Sequence, residues 1–151
     1  RKGIKNGVIL SAAASLHRCI LRNVWSVPDP FPITDANRRF TPVEGPLELL
    51  HMSGNITHTE DGEVYLHAHV TISLGRPEGV AMGGHLVPGA IIFSTGEVVL
   101  AEVEGCEMLR LKDSHTRALE VFPLSLDGLD ERARSKAIAA RKARPRPPGT
   151  K

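Results

Sequence analysis

The sequence predicts an α+β domain built mainly on an antiparallel, strongly curled sheet with few helices. Three observations predict it. Glu63–Leu74 alternates apolar and polar residues with period two, as a half-buried strand does. Strand-like runs fill most of the chain, and none is joined to the next by a helical crossover, which argues against a parallel strand–helix–strand fold. A single strong helix signal stands near the end, after Asp130.

The elements follow in order. Val8–Ala14 reads as a buried strand, and Ser15–Val24 either continues it or forms a turn of helix. Ser26–Pro46 reads as a long irregular excursion, because Pro28, Pro30, Pro32, Pro42 and Pro46 deny it a regular ladder. Leu47–Ile56 is the next strand, with a break expected near Gly54-Asn55. Thr59–Gly62 is a polar turn. In Glu63–Leu74, one face carries Val64, Leu66, Ala68, Val70 and Ile72. The other carries Tyr65, His67, His69, Thr71 and Ser73. Gly75–Gly79 is a turn, Ala90–Val103 a β-rich run, and Cys106–Leu111 and Thr116–Leu124 complete the strands. Asp130 is a good N-cap, with Glu131 in the first turn and Arg141, Lys142 and Arg144 near the end, matching the helix dipole. Pro145 stops the helix. The expected organisation is a sheet domain over 1–129, then a helix and basic tail over 130–151.

The chain's 151 residues favour one domain, and 41% hydrophobic content suffices for one ordinary core. No run approaches the length of an apolar membrane span. Arg1–Lys5 is basic, but the Gly7–Leu16 run is short and shows no clear cleavage pattern, so a secretory leader is not expected. The first residue is Arg1 rather than methionine, which leaves a longer natural chain open. Cys19 and Cys106 fall in no paired spacing and read as free thiols, pointing to a reducing, cytoplasmic setting. The net charge of +2 conceals a split: all 17 acidic residues precede Arg132, whereas Arg132–Lys151 holds only basic ones. With 11 of the 19 basic residues in the first part, the body carries −6 and the end +8. A nucleic-acid footprint, if one exists, is expected on Arg141, Lys142, Arg144 and Arg146.

His67-Ala68-His69 carries the most chemistry. Residues i and i+2 on a strand point the same way, so both imidazoles can reach one ion at roughly 2.0–2.1 Å, the zinc–nitrogen distance. His85 is the natural third ligand, since Gly83 and Gly84 before it permit close backbone approach and positive φ. Three neutral histidines leave a coordination position open to water or another ligand. The plain alternative is a set of polar residues on a solvated strand face. Glu97 is a candidate ligand-orienting residue, ligand or general base, against the plain reading of a surface glutamate. Of the other histidines, His51 alternates with Leu50 and Met52 and reads as a core or edge residue, His58 lies in a turn, and His17 and His115 have no partner at useful spacing.

The segments GVILSAAASLHRCILR, GPLELLHMSGNIT, LHAHVTISL, GGHL and GAIIFSTGEVVL, in this order and spacing, resemble the plants and prokaryotes conserved domain, also called the domain of unknown function 296. The resemblance covers about residues 7–100 and weakens towards about 124. It implies a PPC-like α+β fold, commonly a homotrimer, with zinc or another divalent transition metal held in some prokaryotic members by histidines matching His67, His69 and His85. It also implies a strand and helix ahead of Gly7–Ala14, where this chain has only Arg1–Asn6. Plant members join the domain to an Arg-Gly-Arg-Pro hook and bind DNA, whereas this tail offers Arg144-Pro145-Arg146-Pro147, without the glycine. The fold further resembles acetolactate decarboxylase and a zinc-dependent ester hydrolase.

Two functions from different classes stand at this point. One is a DNA-binding or regulatory domain using its basic tail. The other is a zinc-dependent lyase or hydrolase acting on a small oxygenated substrate. Whether the chain is an enzyme at all is left open by the sequence.

Overall fold

The computed structural model describes residues 3–29, 32–114 and 116–145. His115 and Arg146 lie outside them. The elements are β1 (Gly7–Val24), a 3-10 turn (Asp35–Asn37), β2 (Arg38–Thr59), β3 (Val64–Leu74), β4 (Ala81–Leu86), β5 (Ile91–Glu102), β6 (Cys106–Lys112), β7 (Leu119–Ser125) and α1 (Glu131–Lys142). The seven strands run in the order β5-β1-β4-β3-β2-β6-β7, and β1 also pairs with β2. That extra pairing closes β1, β2, β3 and β4 into a ring. Every pairing is antiparallel except β2 with β6. The predicted curled, mainly antiparallel sheet is what forms.

The ring encloses the main core. Ala14, Leu16, Cys19 and Leu21 from β1 meet Val43, Leu47 and Leu49 from β2 and Val70 and Ile72 from β3. A second, smaller core joins Leu109 and Leu111 of β6, Leu124 of β7 and Ile138 of α1. The helix begins at Asp130, whose carboxylate accepts a 2.7 Å hydrogen bond from the Ala133 amide, as its N-cap chemistry predicts.

One open alternative is decided, and several local expectations change. Ser15–Val24 is strand, with Leu16, Cys19 and Leu21 turned inward. The proline-rich excursion ends at Asn37, and Pro42 and Pro46 lie inside β2. Pro42 stands opposite Ile20, where β2 has β1 on one side and an open edge on the other, since pairing with β3 begins at Leu47. Pro46 falls at the register shift between Leu16 and Arg18. Open edges and bulges are the places where a missing N–H costs a sheet little.

The expected break at Gly54-Asn55 is absent. Gly54 stands opposite Ala68, and a Cβ there would collide with the His67 carbonyl oxygen and the Ala68 Cα. This glycine brings β2 hard against β3 instead of ending it. On β3 the apolar face is buried only from Ala68 onward, and Val64 and Leu66 are 67% and 56% exposed. The cause is the shortness of β4, which covers β3 only over His69–Ser73.

Candidate metal centre

The histidines occupy the outer surface of the ring. Ala68, Val70 and Ile72 point inward, so His67 and His69, alternating with them, point outward. On the neighbouring strand His85 stands directly opposite His69. Directly opposed residues of an antiparallel pair share a face, so the register alone delivers the third imidazole. Gly83 and Gly84 make that register possible by close approach. A Cβ on Gly83 would sit 2.6 Å from the Val70 carbonyl oxygen, and one on Gly84 would meet the Asn23 side chain. Positive φ is not the reason, since neither glycine adopts it.

The three side chains each offer a ligand atom, and these all lie within 4.8 Å of one another. At its widest this exceeds the nitrogen–nitrogen separation of finished tetrahedral ligation. The Nε2 atoms of His67 and His69 are 3.2 Å apart. Two ligands on a tetrahedral ion at zinc–nitrogen distances would be separated by about 3.3 Å. The His85 ring stands nearly perpendicular to both, its centroid 4.7 Å from that of His67 and 5.2 Å from that of His69.

His85 is 9% exposed, and burial first, then the Arg22 charge, pushes its pKa down to about 4. Burial, then Arg110, lowers His67 as well. Both rings are therefore neutral near pH 7, the form in which imidazole binds metal. The donor set, its spacing and its protonation fit a divalent transition metal of the zinc type, with one position left over. No aspartate, glutamate or cysteine completes this or any other such cluster among the described residues.

The other candidate residues lie elsewhere. Glu97 is exposed on β5, opposite Ala13 of β1. The histidine site meets β1 at Arg22, opposite His85, a span of about 30 Å along the strand. Arg141 pairs with Asp113 at 2.8 Å and Glu120 at 3.3 Å, and Lys142 with Glu60 at 2.8 Å. Arg144 is exposed, and its backbone carbonyl accepts from Ser114. Cys19 and Cys106 are both free thiols.

Two residues near the site escaped the sequence reading. Arg110 of β6 is only 4% exposed. Its guanidinium donates to Thr57 Oγ1, Asn55 Oδ1 and the Leu119 carbonyl, and lies over the Tyr65 ring at 4.9 Å. Asn55 stands opposite His67, so Arg110 braces the strand pair that presents the cluster. An arginine inside the run Met108-Leu109-Arg110-Leu111, buried throughout, was the signal that could have found it. The second is Arg22.

A curled antiparallel sheet with imidazoles gathered on its outer surface is the class of domain these observations define, and comparison with known proteins makes it specific. The profile of the Plants and Prokaryotes Conserved (PCC) domain matches residues 1–104, and the chain belongs to that family. Among solved structures, a plant- and prokaryote-conserved (PPC) protein from Pyrococcus horikoshii is 26% identical. It superposes with a TM-score of 0.62 over 83% of this chain and 78% of that one. The metal-containing protein AF0104 from Archaeoglobus fulgidus is 22% identical, with a TM-score of 0.62 over 80% and 76% of the two chains. A protein from Bacteroides thetaiotaomicron described as a candidate DNA-binding protein is 22% identical, with a TM-score of 0.60 over 82% and 76%. Among curated relatives, "Bifunctional protein GlmU" of Synechococcus sp. (strain JA-2-3B'a(2-13)) is 32% identical over 118 residues, 78% of this chain. The chain spans only 16% of that relative's length. No helix among the described residues is long and apolar enough to cross a membrane.

Proposed function

We propose that this chain is a metal-binding PCC domain in which His67, His69 and His85 hold one divalent transition metal, zinc fitting best. The supporting observation is the convergence of three outward imidazoles, two of them held neutral, on one point. A bound dication supplies Lewis acidity and an exchangeable coordination position. The protein's own part is to hold the rings in register through the β3–β4 pairing and to keep them unprotonated. The test is elemental analysis and zinc titration of the full chain, beside His67→Ala and His85→Ala. One ion per chain, lost in both variants, is the expected result. A metal-free wild type that takes up no zinc, or variants that bind as well, would refute it.

DNA association is a second reading, favoured by the run of basic residues from Arg132 onward and by the description of the Bacteroides neighbour. In this reading contact is made by Arg144 and Arg146, with Arg141 and Lys142 available only by release from their carboxylates. The protein is further proposed to act as a homotrimer in a reducing, cytoplasmic compartment. Supporting the assembly, β5, at one end of the strand order, exposes Phe93 at 67%, Val99 at 55%, Val98 and Ile92 at 50% and Ile91 at 49%, apolar side chains on a sheet edge that a second copy would cover. The two free cysteines support the compartment.

A further inference from the structure

The face that carries the histidines also carries an arginine that the fold does not use. Arg22 of β1 stands directly opposite His85 of β4, and His85 directly opposite His69 of β3. Directly opposed residues project from one face with their Cβ atoms about 4.5–5.5 Å apart. Arg22 is thus the next side chain in the row His69, His85, Arg22. It is half-buried, and among the described residues it makes no ion pair and no side-chain hydrogen bond. Two nearby arginines differ: Arg18 pairs with Glu44 and Arg38 with Asp35.

The far side of the cluster is also positive. Arg110 is fixed beside His67 through Asn55, and its three acceptors are all uncharged. Those acceptors take three of its five N–H donors and fix it in place, so Arg110 contributes chiefly field rather than contact. Arg22 keeps its donors. No carboxylate joins the cluster among the described residues. A dication on three neutral imidazoles would then be flanked by two guanidinium groups with no protein anion between them. Positive charge concentrated on one partly exposed face attracts a partner of opposite charge.

We infer that the centre takes a small oxyanion, a carboxylate or a phosphate, and that Arg22 holds it while another of its oxygens faces the three histidines. The planar guanidinium matches two oxygens of either group through parallel N–H···O bonds. A neutral carbonyl compound or alcohol leaves Arg22 unpaired. The inference rests on the metal reading above and extends it to the class of ligand.

The test uses the zinc-loaded full chain. Zinc content is measured first and again after each titration. Calorimetry then compares oxalate, inorganic phosphate and oxamide, the uncharged diamide of oxalate. An oxyanion should bind at least tenfold more tightly than oxamide. Binding of oxalate alone identifies carboxylates as the class, and binding of phosphate alone identifies phosphates; either supports the inference. Arg22→Gln should weaken the preferred oxyanion by about ten- to a hundredfold, the worth of a charge-assisted hydrogen bond, with zinc content unchanged. Arg22→Lys should fall between. Oxamide binding as tightly as oxalate, indifference to both oxyanions, or an undiminished Arg22→Gln each overturn the inference. The wild-type comparison decides the matter if the variants misfold. A chain that takes up no zinc defeats the metal reading and this inference with it; a zinc-loaded chain indifferent to oxyanions defeats the inference alone.

Discussion

Replacing Arg110 by methionine should damage both the fold and the metal centre. Methionine approximates the volume but has no donors. Three contacts disappear, to Thr57 Oγ1, Asn55 Oδ1 and the Leu119 carbonyl, together with the stacking on Tyr65. A hydrogen bond from a charged donor is worth about 1.5–3 kcal/mol. The loss is smaller than the sum for two reasons. Thr57 keeps its bond to the Tyr65 carbonyl, and removing a buried charge returns its desolvation cost. A net loss of about 2–4 kcal/mol is expected. At about 2–4 °C per kcal/mol for a chain of this size, Tm falls by about 4–16 °C. Urea and thermal unfolding, with and without zinc, measure it. Because Asn55 stands opposite His67, zinc affinity should fall as well, by about tenfold or more, as for other groups supporting metal ligands. Arg110→Lys should recover less than half of the stability, since one ammonium cannot span three acceptors on β2 and β7. A variant within 1 kcal/mol of wild type with unaltered zinc affinity would refute the bracing role.

The His85 imidazole sits at about 4 in the folded chain against 6.5 ordinarily. As pH falls the unfolded state takes up its proton first, so metal-free stability is full above 6.5 and declines by up to about 3 kcal/mol towards 4. Urea midpoints at several pH values, compared with His85→Gln, test this, and an equal slope in the variant would exclude His85 as the cause. Charging β5 with Phe93→Glu and Val99→Lys should convert an assembly into monomers by sedimentation with the metal site intact; a wild type already monomeric at micromolar concentration removes the premise. Removing Arg144–Lys151 spares the Arg134, Arg141 and Lys142 ion pairs and should abolish any tail-mediated DNA binding. In the intact chain that binding should weaken with salt at a log–log slope of about −0.9 per phosphate contact, and salt-independent binding by the truncated chain would sink the tail reading.

The parts legible in the sequence were those governed by local periodicity or by a named motif. Strand β3 announced itself by alternation, α1 by Asp130 and its charged ends, and the metal candidates by His-Ala-His. The misread parts depend on what lies beside a strand. Nothing near Pro42 says that one edge of β2 is open there, and nothing near Gly54 says that β3 approaches within a Cβ's reach. Val64 and Leu66 fit the pattern as well as Val70 does, yet β4 is too short to cover them. His85 was nameable because its partner motif is short and distinctive. Arg22 was not, because its membership in the site is a property of the β1–β4 register, and that pairing joins residues far apart in the chain.

The charge split is the clearest case of a pattern correctly seen and differently used. A body at −6 followed by +8 reads as a polyanion-binding tail. In the fold, Arg134 grips Glu107 through two 2.8 Å bonds, Arg141 reaches Asp113 and Glu120, and Lys142 reaches Glu60. Helix α1 buries only Ile138 among its twelve residues, too little apolar surface to fix one docking geometry. Exposed ion pairs contribute little each, but Arg141 and Asp113 have side chains only 16% and 12% exposed, so this pair is screened less. Body and helix are therefore complementary to each other before either meets a partner. Glu107 carries the sign of this coupling, its carboxyl held below the usual range by the hydrogen bond from Arg134. Its contribution is complete above the ordinary carboxylate range and is lost as pH falls through the lowered value, so acid should loosen the helix from β6. A nucleic acid would meet Arg132, Lys136 and Arg144, which make no ion pair among the described residues, and would have to compete with the protein's own carboxylates for the rest.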